Sequence, residues 1–319
     1  MKSPIHLLIF LAVSISACAQ KENQSIVFYN VENLFDTLDT KDKIDEEFLP
    51  NGKREWNTSR YNEKLAHINQ VLGEFQAPLA IGLCEIENEQ VVRDIINYGD
   101  LKGKYGIVHF ESLDARGIDN AIIYDSTQLT ILRKGILRFD MPEGSSPSRD
   151  IVWAQFRNGL ATFYVMVNHW PSRRGGQVES EPKRLIAANA AREFVDSLLT
   201  ADKKTKIVFM GDLNDTPENR APQMMSNVLK PMITPKSGEF GGTHNYRGKW
   251  SVLDHIMVSK GFCGGKGYRV QKKSGKINSF DFLLTEYKGN TVPFRTYGGG
   301  RYLKGYSDHL PVSINVNFK

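Results

Sequence analysis

Residues 206–214 read KIVFMGDLN, an apolar, β-branched and aromatic run that stops on Gly211 and delivers Asp212 and Asn214 at its exit. A short apolar run bounded by polar turn-formers is the pattern of a buried strand. The arrangement recurs outward in both directions. Asn30 and Glu32 follow SIVFY (25–29), Glu85 and Glu87 follow LAIGLC (79–84), and Asn168 and His169 follow ATFYVMV (161–167). Asp254 and His255 interrupt SVL and IMVS, and Asp308 and His309 precede LPVSINV (310–316). A single Asp or Asn in such a place is an ordinary turn-former, bonding its own backbone. Six such sites on one chain point instead to polar groups converging on a cleft at one edge of a layered domain.

Further strand-like runs at 105–110, 120–125, 129–139 and 151–156 alternate with three stretches of helical periodicity. Residues 60–75 align Tyr61, Leu65, Ile68, Leu72 and Phe75 on one face; residues 88–98 follow. Residues 181–199 form an alanine-rich amphipathic segment with Pro182 expected at its start. Strands mixed with a few helices, with many strands close enough for hairpins, predict an α/β layered domain with mixed sheets. No linker or internal repeat divides the chain, so one domain is expected from residue 24 to 319. The irregular tracts 36–59 and 260–305 read as surface excursions.

The 319 residues carry a net charge of only +5, which tolerates a polyanionic substrate without demanding one, and no patch is dense enough in Lys and Arg for tracking a duplex. Residues 1–18 stand apart from the fold. Lys2, the short apolar run IHLLIFLAV (5–13) and the small residues before Cys18 resemble a bacterial lipoprotein signal with Cys18 as the lipidated residue. The expectation is export and anchoring to the bacterial envelope, with a plain secretory signal as the alternative. The chain is then a monomer that meets the membrane only through its N-terminal lipid. Of the two other cysteines, Cys84 reads as a small buried strand residue. Cys263 sits in a turn; a disulfide between the two is open, and the count excludes a thiolate zinc site.

Carboxylates and amide oxygens suit a hard divalent cation, Mg²⁺ or Mn²⁺, and histidines beside them manage protons. Such a set serves attack of water on a phosphodiester. The motifs FYNVEN (28–33), LCE (83–85), VNHW (167–170), MGDLN (210–214), LDH (253–255) and YSDHLPV (306–312) resemble, in order, those of the endonuclease/exonuclease/phosphatase superfamily. The resemblance spans essentially the whole chain after the signal. It implies a layered sandwich of two mixed β-sheets packed face to face, with helices on the outside. It implies a metal held by Glu85, with Asn30, Glu32 and Asp308 in support. Asp212 would position or activate water, Asn214 would bond a phosphate oxygen, and His309 would donate to the phosphate, oriented by Asp254. His169 would protonate the leaving oxygen.

Glu32 departs from the family pattern, standing where several nucleases carry the shorter Asp. Arg173 and Arg174, with Asn168, are the candidates for gripping substrate, against the bland reading of solvated surface arginines. Trp170, Trp250, Tyr297, Tyr302 and Tyr306 either stack on a substrate or pack at the cleft rim. His255 has no assigned role and reads as a strand residue with a satisfied hydrogen bond. The expected substrate is DNA or RNA; a lipid, inositol or sugar phosphate is the alternative, and a binding protein without catalysis the remote one.

Overall fold

The computed structural model describes residues 23–76, 78–99 and 101–319. The signal segment and Cys18 lie outside the described residues. Two large sheets dominate. The first is built on β1 (Gln24–Leu34), β2 (Ala80–Ile86), β3 (Tyr105–His109) and β4 (Asp119–Asp125). Its order runs Tyr268–Val270, Val312–Phe318, β1, β2, β4, β3, with Lys276–Ile277 also paired to Val312–Phe318. The second contains β5 (Thr130–Leu137), β6 (Ile151–Asn158), β7 (Ala161–His169), β8 (Ile207–Asp212) and β9 (Lys230–Pro231). Its order is β5, β6, β7, β8, Asp254–Val258, β9.

Each sheet holds one parallel pair, β1 with β2 and β7 with β8, among antiparallel neighbours. A parallel pair needs a crossover, and a helix supplies it in both cases. Helix α1 (Thr58–Gly73) lies between β1 and β2; Asn57 caps it, accepting from the Ser59 and Arg60 amides at 3.1 and 3.2 Å. Helix α2 (Glu89–Tyr98) follows β2, and α3 (Gln177–Ala201) joins β7 to β8. The expected apolar face of α1, Tyr61, Leu65, Ile68 and Leu72, is buried. Helix α3 corrects the reading of Pro182. The helix begins five residues earlier, behind Gly176 at φ 125°, and the proline sits inside it.

Strand alternation sorts the core into two layers. Phe163, Val165 and Val167 of β7 and Val208 and Met210 of β8 join the core shared with the first sheet. Tyr164 and Met166, with Ile207 and Phe209, face the other way, onto Ala187, Ala188, Ala191 and Val195 of α3. Small alanines let that helix lie close to the sheet. The sheets approach closely at Gly82, where an added Cβ would stand 2.8 Å from both Val167 Cγ2 and Met210 Cε.

Both presumed surface excursions contribute to the core. In 36–59, Phe48 and Trp56 are buried, Phe48 stacks on Phe35, and the Trp56 indole donates to the Phe35 carbonyl at 2.9 Å. The tract 260–305 supplies two strands of the first sheet and buries Tyr297. Cys84 is buried and Cys263 exposed, and both are free thiols. No helix among the described residues is long and apolar enough to cross a membrane.

Gly82→Val should lower stability by about 1–3 kcal/mol, because the branched side chain must force the sheets apart. Urea unfolding would show it; an unchanged midpoint would mean the interface is looser than its contacts indicate.

Candidate functional site

Strand register lines up the acidic edge. His169 pairs with Asp212 across the parallel β7–β8 pair, and Asp212 pairs with Asp254 on the antiparallel neighbour. Adjacent strands are about 4.8 Å apart, so three titratable residues lie in one row. Gly211, just before Asp212, is required by the neighbouring strand: a Cβ there would fall 2.2 Å from the Asn168 carbonyl oxygen. The facing sheet brings Asn30 and Glu85, and both strands are irregular at this point. The register breaks between Cys84 and Ile86 leave Glu85 unpaired at φ 61°, and the break after Asn30 accommodates Glu32 at φ 53°. Bulges of this kind re-aim a side chain that regular pairing would hold in the pleat.

Asn30 joins the two sheets. Its Nδ2 donates to Glu85 Oε1 at 3.3 Å and to Asp212 Oδ2 at 3.1 Å, while its Oδ1 accepts the Glu32 amide at 3.0 Å. The other Glu85 oxygen accepts the Asn33 amide at 3.0 Å. His309 Nδ1 bonds Asp254 Oδ2 at 2.7 Å, leaving Nε2 facing Asp212 Oδ2 at 3.8 Å. Burial alone would lower the His309 pKa, but Asp254 and Asp212 overcome it and hold the imidazole well above its ordinary value. The raised pKa favours the protonated imidazole, which would offer one N–H to Asp254 and the other to the cleft. His169 is its opposite. Its Nε2 lies 3.8 Å from Glu85 Oε1 and 3.7 Å from Asp212 Oδ2, yet burial, reinforced by Arg149, pushes its pKa well below the usual value. Two imidazoles shifted in opposite directions thus flank Asp212, whose own carboxyl is pushed up by burial and by Asp254, against the pull of His309.

Asn214, at φ 50°, donates its amide N–H to Asp212 Oδ1 at 2.8 Å and one side-chain hydrogen to the Trp170 carbonyl at 3.1 Å. Its loop is braced from below by Asp215, a residue the sequence reading passed over. Asp215 and Arg184 of α3 are both fully buried and 2.7 Å apart. The Asp215 carbonyl also accepts the His255 Nε2 proton at 2.9 Å, the satisfied strand histidine that was expected.

Several of the expected site residues are engaged by other parts of the chain. Both Glu32 oxygens are engaged, Oε1 by Arg295 at 3.3 Å and Oε2 by the Thr296 amide at 2.6 Å, so Glu32 anchors a loop. Asn30, with its amide nitrogen turned to the carboxylates, positions Glu85 instead of ligating. Asn168 is fully buried, its amide donating to the Met210 carbonyl and accepting from the Trp170 indole, which turns it into the protein. Arg173 folds back on Asn214 O at 2.7 Å and Asp215 Oδ1 at 3.6 Å, bracing the loop instead of gripping phosphate; Arg174 stays exposed. Trp170, Tyr297 and Tyr306 are buried, and Trp250 stacks on Phe240; these aromatics pack the rim.

Three further residues were missed. Arg295 bridges Glu32 and Asp308, reaching Asp308 Oδ2 at 2.9 Å. Lys64 of α1 is buried, bonding the Thr296 hydroxyl and the Tyr306 carbonyl, and burial lowers its pKa. His244 lies with its ring 4.8 Å from that of His309 and forms a backbone bridge to it; burial and His309 push its pKa down to about 4. Spacing in sequence gave no signal for any of them, since Lys64 lies in a helix, Arg295 in a loop and His244 in a three-residue strand, none within a motif.

Glu85 and Asp308 are the most open acids of the edge, with side chains 16% and 22% exposed. Two mixed carboxylate–imidazole groups on this edge, His244 with Asp308 and His309, and Asp212 with Asp254 and His309, each bring their ligand atoms within 4.8 Å of one another, so the acidic edge could hold a divalent cation.

A two-sheet sandwich with carboxylates and paired imidazoles along one edge is the architecture of a phosphoester hydrolase. The chain belongs to the endonuclease/exonuclease/phosphatase family, whose sequence profile matches residues 25–318. No curated protein matches it in sequence. Among solved structures, a conserved protein of unknown function from Enterococcus faecalis V583 superposes with a TM-score of 0.59 at 18% identity, covering 93% of this chain and 100% of that one. The mannosyl-6-phosphatase of Bacteroides thetaiotaomicron gives 0.59 at 16% identity, over 92% and 100%. The human Nocturnin catalytic domain, with bound sulfate, gives 0.56 at 13%, over 93% and 95%. At these identities the likeness is one of fold.

Removing the Asp215 carboxylate would strand a buried guanidinium beneath the Asp212–Asn214 loop. Asp215→Ala should therefore lower stability by about 3–5 kcal/mol in chemical denaturation. A loss below about 1 kcal/mol would show that Arg184 finds another partner.

Proposed function

We propose that this protein hydrolyses phosphodiester bonds with the help of Mg²⁺ or Mn²⁺, and that DNA or RNA is its substrate. The observation that carries the reading is the His309 imidazole, gripped by Asp254 at 2.7 Å and facing Asp212 from the opposite side. Glu85 and Asp308 would hold the cation, which when bound neutralises phosphate charge. The protein's own groups do the rest. His309 Nε2–H donates to a non-bridging phosphate oxygen, where charge builds as the phosphorus is attacked. Asp212, with one oxygen fixed by the Asn214 amide, orients the attacking water and takes its proton. Asn214 keeps one side-chain hydrogen for a phosphate oxygen. His169, neutral and aimed at the same carboxylates, is placed to offer a ring N–H as a hydrogen bond to the leaving oxygen, which takes its proton from water. A small phosphate ester is the second reading. What favours it is Arg173, whose commitment to the loop removes one expected grip on a polymer backbone.

The lipoprotein-like segment supports an exported monomer held at the envelope by lipid on Cys18. Palmitate labelling that survives Cys18→Ser would sink the anchor, and a dimer in size-exclusion chromatography would remove the monomer.

Hydrolysis of plasmid DNA, RNA, bis-p-nitrophenyl phosphate and p-nitrophenyl phosphate should require Mg²⁺ or Mn²⁺ and stop with EDTA. Asp212→Asn and His309→Ala should each slow turnover at least about a hundredfold. Wild-type rates in both variants, or robust activity in EDTA, would overturn the mechanism; activity on monoesters alone would shift the substrate to small phosphates.

A further inference from the structure

Two short hairpins rise beside the site and share one turn chemistry. The first pairs His244–Tyr246 with Lys249–Ser251 across the turn Arg247-Gly248, at φ 52° and 83°. The second pairs Leu284–Tyr287 with Asn290–Pro293 across Lys288-Gly289, at φ 51° and 75°. Two consecutive positive-φ residues are the type I′ geometry of tight hairpins, where glycine fits without strain and a non-glycine residue is uncommon. Each turn is thus written tyrosine, cation, glycine: Tyr246-Arg247-Gly248 and Tyr287-Lys288-Gly289.

Both tyrosines are exposed, 64% and 60%, in a protein that buries most of its aromatics. Each is flanked by its own cation, with the Arg247 guanidinium 5.2 Å from the Tyr246 ring centre and the Lys288 ammonium 5.4 Å from that of Tyr287. The tips are neighbours: a Cβ at Gly248 would stand 3.1 Å from the Asn290 amide oxygen. Exposed Lys249 adds a third positive charge, and the Glu286 carboxylate is engaged by the Thr291 hydroxyl.

The hairpins are also continuous with the site. Tyr246 lies on the same hairpin face as His244, whose ring meets His309. The hairpin root is fixed to both strands that carry the His309–Asp254 pair. The Thr243 carbonyl accepts the Leu310 amide at 2.8 Å, and the Thr243 hydroxyl accepts the Leu253 and Asp254 amides at 3.0 and 3.2 Å. The second hairpin ends at Pro293, two residues before Arg295, which holds Glu32 and Asp308.

We infer that the paired tips form a platform for single-stranded nucleic acid, stacking unpaired bases on Tyr246 and Tyr287 while Arg247, Lys249 and Lys288 meet the phosphates. This rests on the phosphoester-hydrolase reading of the adjoining site and names its substrate class. Aromatic rings with interleaved cations are how proteins hold single strands, because every unpaired base offers a face. A duplex has its bases already stacked against one another. A membrane surface calls for apolar wedges such as Trp, Phe or Leu, and these tips carry none.

The test is fluorescence anisotropy of a labelled single-stranded oligonucleotide with the full chain in EDTA, so that binding is read without cleavage. The double variant Tyr246→Ala/Tyr287→Ala should raise Kd at least about tenfold, while Tyr98→Ala, an exposed tyrosine on α2, leaves it unchanged. Arg247→Ala should flatten the salt dependence, and the matching duplex should bind more weakly than the single strand. Equal Kd in wild type and double variant, no oligonucleotide binding by the wild type, or binding to phosphatidylglycerol vesicles in its place would each overturn the platform. Wild-type hydrolysis of bis-p-nitrophenyl phosphate separates the two claims. Hydrolysis without oligonucleotide binding removes the platform alone, and oligonucleotide binding without any metal-dependent hydrolysis removes the site.

Discussion

A parallel strand pair inside each sheet is the constraint on which the rest depends. Parallel neighbours end at the same edge, so β1 with β2 and β7 with β8 each deliver two exits side by side. Packing the sheets face to face then sets the two pairs of exits opposite one another, within reach of a single Asn30 side chain. The antiparallel neighbours extend the row, because the strands Asp254–Val258 and Val312–Phe318 begin where the parallel ones end. The crossovers required by parallel pairing are not idle connections. Helix α1 supplies Lys64 beneath the loop that carries Arg295, and α3 supplies Arg184 beneath the loop that carries Asn214.

The edge so built concentrates negative charge in a buried place, and its cations are placed to divide that charge unequally. Arg295 neutralises Glu32 and Asp308 together, which fixes Glu32 as a structural anchor. Asp254 is engaged by His309 through Oδ2 alone, its buried Oδ1 being without a hydrogen-bond partner. Glu85 and Asp212 face only imidazoles, at 3.7–3.8 Å, and are linked by the neutral amide of Asn30. A divalent cation entering there meets carboxylates already oriented by backbone and amide donors. The contrast between His309 and His169 lies in their partners: His309 bonds Asp254 directly at 2.7 Å, which raises its pKa against burial, while His169 only faces carboxylates at 3.7 and 3.8 Å and is lowered by burial and Arg149.

The sandwich was legible because strand exits punctuated by Asp, Asn and Glu recur with a regularity that turns alone do not explain. The edge positions of Glu85, Asp212, Asp254 and His309 followed from that punctuation and from the family motifs. What escaped was whatever depends on partners far away in sequence. Glu32 looks like a ligand until Arg295, 263 residues later, is seen to occupy it. Lys64 stands in an amphipathic helix as any solvated lysine would, and only the Thr296–Tyr306 loop folding over it makes it buried. Arg173 and Asn168 had the right chemistry in the right neighbourhood, but Arg173 turns back to the Asn214–Asp215 loop and Asn168 to the Met210 carbonyl of the adjacent strand. Pro182 misled because an N-terminal proline is the common case, and nothing local announces that Gln177 begins the helix.

The left-handed backbone at Glu32, Glu85 and Asn214 reaches beyond geometry. Residues other than glycine held at such angles cost about 1–3 kcal/mol each, and the fold meets that demand whether or not a ligand is present. The sandwich therefore spends part of its margin of stability on keeping an edge ready, and a ligand entering it has little rearrangement left to drive. Under selection, this edge is where the sequence is least free to drift toward a more relaxed chain. Substitutions that ease the backbone there would stabilise the fold and blunt the edge in the same stroke.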